Sequence, residues 1–465
     1  MKAALTIVLK ILGGCLAGLA SLYLLLVAIN LSDEDLTTEA RQFVEDPSPP
    51  LPTVPEADNA YFAFLGFTSE EGADIHAKGK AIVEAYHKAI RDNPHVKWEG
   101  YPEPALTGTE RLRFNGKSDA LCSKDTPSCL AHAVKSEAAI RQLLQENAAL
   151  VSRYRGLSVY AAYKNPMKMT VSTPLPAFFD LRQTANLVLT DMARMAAQGR
   201  ADEAFGTLLD DLALWRRLQP GRQGLIDKMV KTAQMSTDLR ILSEMISRHG
   251  VPRKREHQLA AVLAPLTDRE RDMVTVMRTE VLMAESMRDR ALLLSSAETE
   301  GGGLARRVGA YLAMPFYQPN ATFNRYAQAW LFQMEIARTP STRFLEQLTQ
   351  HERKFQDSFA HVEMHWYDWY NPIGKLFFAI GSPGSFAKFP ARMHDLDGLM
   401  RLVALQAQIK QRGIPDGRVE DYLAKAGGQY HDPYTDKPMQ WVPATRSLSF
   451  EGYGSGEKKP VEVKL

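Results

Sequence analysis

The chain reads as a mainly α protein: an N-terminal transmembrane helix, then stacked helical hairpins, then a small C-terminal β-hairpin. Three observations predict this. Nineteen uncharged residues run from Ile11 to Ile29, about enough to cross a ~30 Å hydrocarbon core as a helix. From about Leu175 to Leu294 apolar residues recur at helical spacing in one segment after another. Near the end, "DPYTDKPMQWVPATRSLSFEGYG" changes to strand-like alternation with turn residues between the runs.

The apolar run is read as an uncleaved signal anchor. A signal peptide's apolar region is shorter, about 7–15 residues, and ends at a small-residue cleavage site. Lys2 and Lys10 precede the run, whereas Asp33, Glu34, Asp35, Glu39, Glu45 and Asp46 follow it with Arg41 alone opposing. The positive-inside rule then places residue 1 in the cytoplasm and the bulk of the chain across a bacterial inner membrane, in the periplasm. The competing reading is cleavage and lipidation at Cys15 in "LGGC". It would leave a mature chain opening on the rest of the apolar run, Leu16–Ile29. Gly14 and Gly18 have helix-pairing spacing, so a homodimer through the span is a further expectation.

Residues 32–58 are expected to form a tether. "EDPSPPLPTVPEAD" has five prolines in fourteen residues, a composition that favours an extended spacer and would hold the body off the bilayer. Four segments result: the anchor 1–31, the tether 32–58, an exported helical domain 59–420, and a C-terminal hairpin with its tail, 421–465. The body should open on the aromatic stretch "NAYFAFLGF", packed inward, followed by a helix keyed by Ile75, Ile82, Val83, Tyr86 and Ile90. Gly199 is expected to end one long helix, with Asp202 and Glu203 opening the next. That pair resembles the helix-turn-helix unit of tetratricopeptide-like repeats, although no 34-residue period follows. Thr267 and Glu270 have capping-box spacing, and Gly413 is placed to end the last long helix. The strands are expected at roughly 438–443 and 446–451, with "SGEKKPVEVKL" as a frayed tail.

Composition excludes little but excludes it clearly. The 56 basic and 54 acidic residues nearly cancel, to a net charge of +2, so nucleic acid is not an expected partner. Cys122 and Cys129 flank a turn containing Asp125 and Pro127, which in an oxidising compartment makes a local disulfide. A zinc site would need four ligands, and only His132 lies near in sequence.

Motifs that could carry chemistry are sparse. His361 and His365 share one helical face, but Glu363 sits between them rather than at the His-Glu-x-x-His position. His351 is ten residues from His361, a poor third ligand. Ser385-x-x-Lys388 has the spacing of penicillin-binding acyl-transferases without their Ser-Asp-Asn and Lys-Thr-Gly partners. Glu84-x-x-His87 is a single copy of a unit that di-iron bundles use twice. No catalytic set, metal set or cofactor motif is therefore named. The most distinctive local feature is aromatic. Trp366, Trp369 and Tyr370 fall at i, i+3 and i+4, beside Asp368 and Asn371. Exposed, these residues would bind sugar rings or a partner helix; buried, they are core.

"DPYTDKPMQW", following "RLVALQAQIKQRGIPDGRVEDYL", resembles a pattern in uncharacterised bacterial single-span envelope proteins. There a C-terminal Asp-Pro-Tyr-x-x-Lys-Pro turn closes a largely helical chain. "YQPNATFN" and "WYNPIGK" are similar to other blocks of that group, so the likeness runs through residues 59–455. The resemblance implies a helical body with a small β end and no particular activity. Two functions stay open on sequence: an interaction or scaffold protein of the cell envelope, and an envelope hydrolase assembled from distant helices.

Overall fold

The computed structural model describes residues 2–45, 53–92, 111–123, 126–170, 173–290, 304–360 and 369–465. Its first element is a continuous helix, Lys2–Ile29. The segment Thr6–Ile29 is long and apolar enough to cross a membrane. Gly14 and Gly18 face open space on it.

Helices dominate the body. Ala60–Leu65 is buried along its whole length and is pressed against Ile75–Asp92. The approach is so close that a Cβ on Gly79 would lie 1.8 Å from the Phe62 carbonyl oxygen. Three long helices follow: Phe178–Ala197, Ala201–Leu218 and Leu225–His249. The first turn between them is closed by Gly199 at φ +86°, a conformation that costs glycine little. Thr267 caps Asp268–Arg271 as expected: its side chain accepts the Glu270 N–H, and Glu270 accepts the Thr267 N–H at 2.7 Å.

Lys388–Arg412 packs on Leu225–His249 with one face and carries the C-terminal sheet on another. It ends at Gly413 in the left-handed region, where the Ile414 N–H reaches back to the Ile409 carbonyl at 3.1 Å, the bond of a Schellman cap. Gln406 ties the layers together, donating to the Ser243 and Lys464 carbonyls at 2.9 and 2.6 Å.

The expected hairpin is present as Gln440–Val442 paired antiparallel with Ser447–Gly452. The tail differs from expectation. Lys459–Lys464 is a third antiparallel strand, with Val463 opposite Leu448 and Val461 opposite Phe450. Its alternation puts Val463 inward while the charged residues face out. The Asp-Pro-Tyr turn locks this sheet to the body. Asp432 accepts from the Tyr434 N–H and Thr435 hydroxyl, both at 2.8 Å. Tyr434 then donates to Asp395, which also accepts the Tyr453 and Gly454 N–H groups.

A second, smaller core lies under the helices Val274–Ser286 and Pro319–Arg338, and includes Phe323, Trp330 and Phe378. Here the structure departs from the expected spacer. Residues 32–45 are docked: Thr38–Glu45 is a helix whose Ala40 and Phe43 enter this core. Asp33 accepts the Asn320 and Ala321 N–H groups at 2.8 and 3.1 Å. An acid that reads as solvated thus serves the positive end of the Pro319–Arg338 helix. At the far end of the segment, the Ala60 N–H donates to the Ala162 carbonyl at 2.9 Å, beginning the body. Residues 46–52, which carry four of the five prolines, lie outside the described residues.

Candidate functional site

The interior of the three-helix layer holds an unusual density of ionisable groups. Lys228 and Lys231 are almost completely buried, for a reason that lies in the preceding helix. Ala201–Leu218 ends inside the protein, where its last carbonyls have no intrahelical donors. Lys231 donates to the Leu218 carbonyl at 2.8 Å. Lys228 donates to the Gln219 and Glu270 carbonyls at 3.1 and 2.6 Å. Lys231 also lies 3.6 Å above the Tyr163 ring, whose hydroxyl donates to Asp227. Burial lowers the pKa of both lysines, that of Lys228 to about 8.

A second cluster reaches the surface. Asp211 accepts from the Tyr154 hydroxyl at 2.8 Å and from the Trp215 indole at 3.1 Å. Asp238 stands behind it on Leu225–His249, hydrogen-bonded to Gln234 at 3.3 Å through one oxygen. Its other oxygen meets no donor. Asp211 is its acidic neighbour, and like charges so placed disfavour ionising both. Burial and the neighbouring acid push Asp238 well above the ordinary carboxylate range. Burial pushes Asp211 up to about 6, against the hydrogen bonds from Tyr154, Trp215 and Asp238. Asp211 forms part of a cleft of about 350 Å³ with Tyr154, Asp210, Arg155, Ser158 and Arg217.

A raised carboxyl pKa means that the folded chain holds its proton more tightly than the unfolded one. Stability is therefore expected to fall as pH rises from about 4 through about 6. Asp238, raised further, carries the fall on to higher pH. In Asp238→Asn the amide cannot titrate, so the fall above about pH 6 is lost while the part below it, which belongs to Asp211, remains. Thermal melts of the two chains at several pH values check this; equal slopes above about pH 6 would refute it.

Two further clefts are present among the described residues. One, of about 460 Å³, lies beside the cysteine pair and contains Ser128, Arg240, Glu244 and Arg248. Glu244 is committed there to the Cys129 and Leu130 N–H groups at 2.8 and 3.2 Å. The other, of about 430 Å³, contains His87, Lys168, Arg222 and Glu285.

Cys122 and Cys129 are at disulfide distance, with Cα atoms 5.5 Å apart. Closing a loop with a sequence separation of 7 is worth about 2–3 kcal/mol in the chain-entropy model. A Cys122→Ser, Cys129→Ser chain is expected to lose that much in urea unfolding and to become indifferent to reductant.

The aromatic candidates separate. Trp366 and Asp368 lie outside the described residues, as do His361 and His365. Trp369 and Tyr370 are not helical, so helical spacing does not govern where they point. Trp369 is 45% exposed, and its carbonyl accepts the Asn30 side-chain amide at 2.8 Å. Burial, then Glu34 and Asp33, push the Tyr370 hydroxyl's pKa up. Asn371 is buried in the left-handed region and caps Pro372–Gly381. Its N–H donates to the Asn30 side-chain oxygen at 2.7 Å. This end of the stretch thus binds the chain's own first helix.

The remaining motifs resolve into packing. His351 stacks on Phe332 with centroids 4.2 Å apart, and burial with Lys354 nearby lowers its pKa to about 4. Glu84 faces Lys80 at 4.0 Å. Lys388 opens the Lys388–Arg412 helix. Among the described residues, no three His, Cys, Asp or Glu side chains converge to hold a metal. Sequence reasoning missed both buried clusters. The sole signal was an excess of Asp and Lys on faces that also carry Leu and Met.

No family model, curated protein or solved structure matches the chain.

Proposed function

We propose that this is a single-span protein of the bacterial inner membrane, with its N-terminus in the cytoplasm and its helical body in the periplasm. There it serves as an interaction or scaffold protein of the cell envelope. Lys2 and Lys10 before the span, and Asp33, Glu34 and Asp35 after it, support the orientation. The cysteine pair at disulfide distance fits an oxidising compartment. The resemblance to single-span envelope proteins agrees with both.

The observation that carries the interaction role is the partnering of four cleft carboxylates, Asp210, Asp211, Glu244 and Glu285; a fifth, Glu462, is exposed on the outer strand. Asp210 accepts from Gln258 at 2.6 Å, Asp211 from Tyr154 and Trp215, and Glu285 from Lys168 at 3.2 Å. Glu244 caps a helix. A hydrolase needs such groups available to substrate and water. A second reading, the envelope hydrolase, has one observation behind it: Asp211, whose carboxyl burial pushes up to about 6, forms part of the wall of a cleft.

Crosslinking in native membranes, followed by purification of the full chain, tests the role. A reproducible envelope partner is expected, and its contacts should fall on the body. Repeated recovery of the chain alone would sink the scaffold reading. An impermeant maleimide applied to spheroplasts tests the orientation, through Val159→Cys, a 74% exposed position on the body. Labelling only after lysis would place the body in the cytoplasm.

A further inference from the structure

We propose that two short helices of the body, Leu304–Ala313 and Pro372–Gly381, are seated in the bilayer beside the span, in the leaflet where the span ends. The base of the body is then immersed in lipid rather than held above it. This inference rests on the reading of residues 11–29 as a membrane span.

The argument begins with what each helix exposes. On Leu304–Ala313 the positions Leu304, Val308, Tyr311 and Leu312 fall at i, i+4, i+7 and i+8, a single face, and all four are exposed. Pro372–Gly381 turns Phe377 and Phe378 inward, onto Tyr317 and Tyr326. The side left over presents Leu376 and Ile380, 50% and 78% exposed, with Trp369 just before the helix. Neither helix contains an acidic residue; their charged positions are Arg306, Arg307 and Lys375. Apolar faces with basic residues and a boundary tryptophan are the composition of helices that lie in a membrane interface. In water the same faces would form an apolar patch of the kind that drives association.

Leu304–Ala313 is joined to the span itself and the cap of Pro372–Gly381 to the residue that ends it, which is what selects lipid over a protein partner. The Tyr23 hydroxyl donates to the Leu312 carbonyl at 3.1 Å, and its ring meets Phe316 edge-on at 5.7 Å. At the top of the span, Asn30 holds the Trp369 carbonyl and the Asn371 N–H at 2.8 and 2.7 Å. At 1.5 Å rise per residue, Tyr23 lies about 10 Å below Asn30 along the helix. With residues 11–29 filling a ~30 Å core, a group beside Tyr23 sits inside the leaflet and not above it. Interfacial helices bury their apolar face about 5–10 Å deep. The Tyr23–Leu312 contact puts the end of Leu304–Ala313 at that depth.

Depth-dependent quenching tests this on the full chain. Single cysteines replace Leu312, Ile380, Leu16 or Val159 in a Cys15→Ala background with the Cys122–Cys129 pair intact. Each is labelled with an environment-sensitive fluorophore and reconstituted into phosphatidylcholine–phosphatidylglycerol vesicles containing brominated lipid. Quenching at Leu312 and Ile380 is expected to approach that at Leu16 and to exceed that at Val159 several-fold. Leu16 quenched with Leu312 and Ile380 at the Val159 level would overturn the inference and leave the span in place; a second copy covering the patch gives that result. Leu16 at the Val159 level would overturn the span reading as well. A photoactivatable lipid crosslinked to the unsubstituted chain supplies a measurement free of variants. Adducts are expected within 304–316 and 369–381, and adducts confined to 11–29 count against the proposal.

Discussion

Arg216→Met is expected to destabilise the body by about 3–5 kcal/mol, the cost of removing one partner of a buried ion pair. Arg216 forms a two-pronged pair with Glu270, at 2.8 and 3.0 Å. Its remaining nitrogen donates to the Val262 and Ala264 carbonyls at 2.7 and 2.8 Å. The substitution therefore leaves the buried Glu270 carboxylate with the Thr267 N–H alone and the part-buried Val262 carbonyl without its donor. Methionine keeps the apolar stem's packing, so the loss reports the charge and its hydrogen bonds. Arg216→Lys should recover only part, because an ammonium cannot present the planar fork.

The pH dependence separates this mechanism from a simple packing defect. Burial pushes the Glu270 pKa up, but Arg216 and the Thr267 N–H overcome that and hold it below the usual value. A lowered carboxylate pKa contributes stability above the unfolded value of about 4.3, and that stability is lost as pH falls. The difference between Arg216→Met and the parent chain should therefore be largest near neutrality and shrink below about pH 4. Urea midpoints measured across that range check it. A difference independent of pH would mean that the pair carries none of the cost.

Glu270 also marks how far a sequence can be read. Its capping-box role followed from three-residue spacing to Thr267, a local relation. Its partner Arg216 stands 54 residues away on another helix, and no spacing rule reaches that far. The helical hairpins were legible for the same local reason, since Gly199 and Gly413 end helices wherever they pack. Lys228 and Lys231 were not legible. A lysine on a helix ordinarily signals a solvated face, and these two are inside because the neighbouring helix ends there with open carbonyls. The third strand was hidden by its charges: Lys459–Lys464 has one fully buried side chain, Val463, and is ordered by the free edge of Ser447–Gly452. The segment after the span misled through composition. Five acids within residues 32–45 suggested water, yet Asp33 was answering a helix terminus whose residues lie nearly three hundred positions on.

Asn30→Leu is expected to uncouple the span from the body. Leucine is as helical and more apolar, so insertion of residues 11–29 should be unaffected. The loss is local. Asn30 is 3% exposed, and its amide donates to the Trp369 carbonyl while its oxygen accepts the Asn371 N–H. With leucine the buried Asn371 N–H and the part-buried Trp369 carbonyl are left unpaired, at roughly 1–3 kcal/mol each, so the junction loosens by about 2–6 kcal/mol. The Gln318 amide, which donates to the Asn30 backbone carbonyl at 2.6 Å, still holds the chain in place. The junction should thus become mobile without the body unfolding. Spin labels at Leu24 and Thr237 read this directly. A narrow distance distribution is expected for the parent and a broad one for Asn30→Leu, with melting of the body unchanged. Asn30→Asp should fall between, since it still accepts from Asn371 but cannot donate to Trp369. Equal widths for all three chains would mean that residues 32–45 and the Tyr23 contacts suffice. The orientation of the body would then depend on those contacts rather than on this one amide.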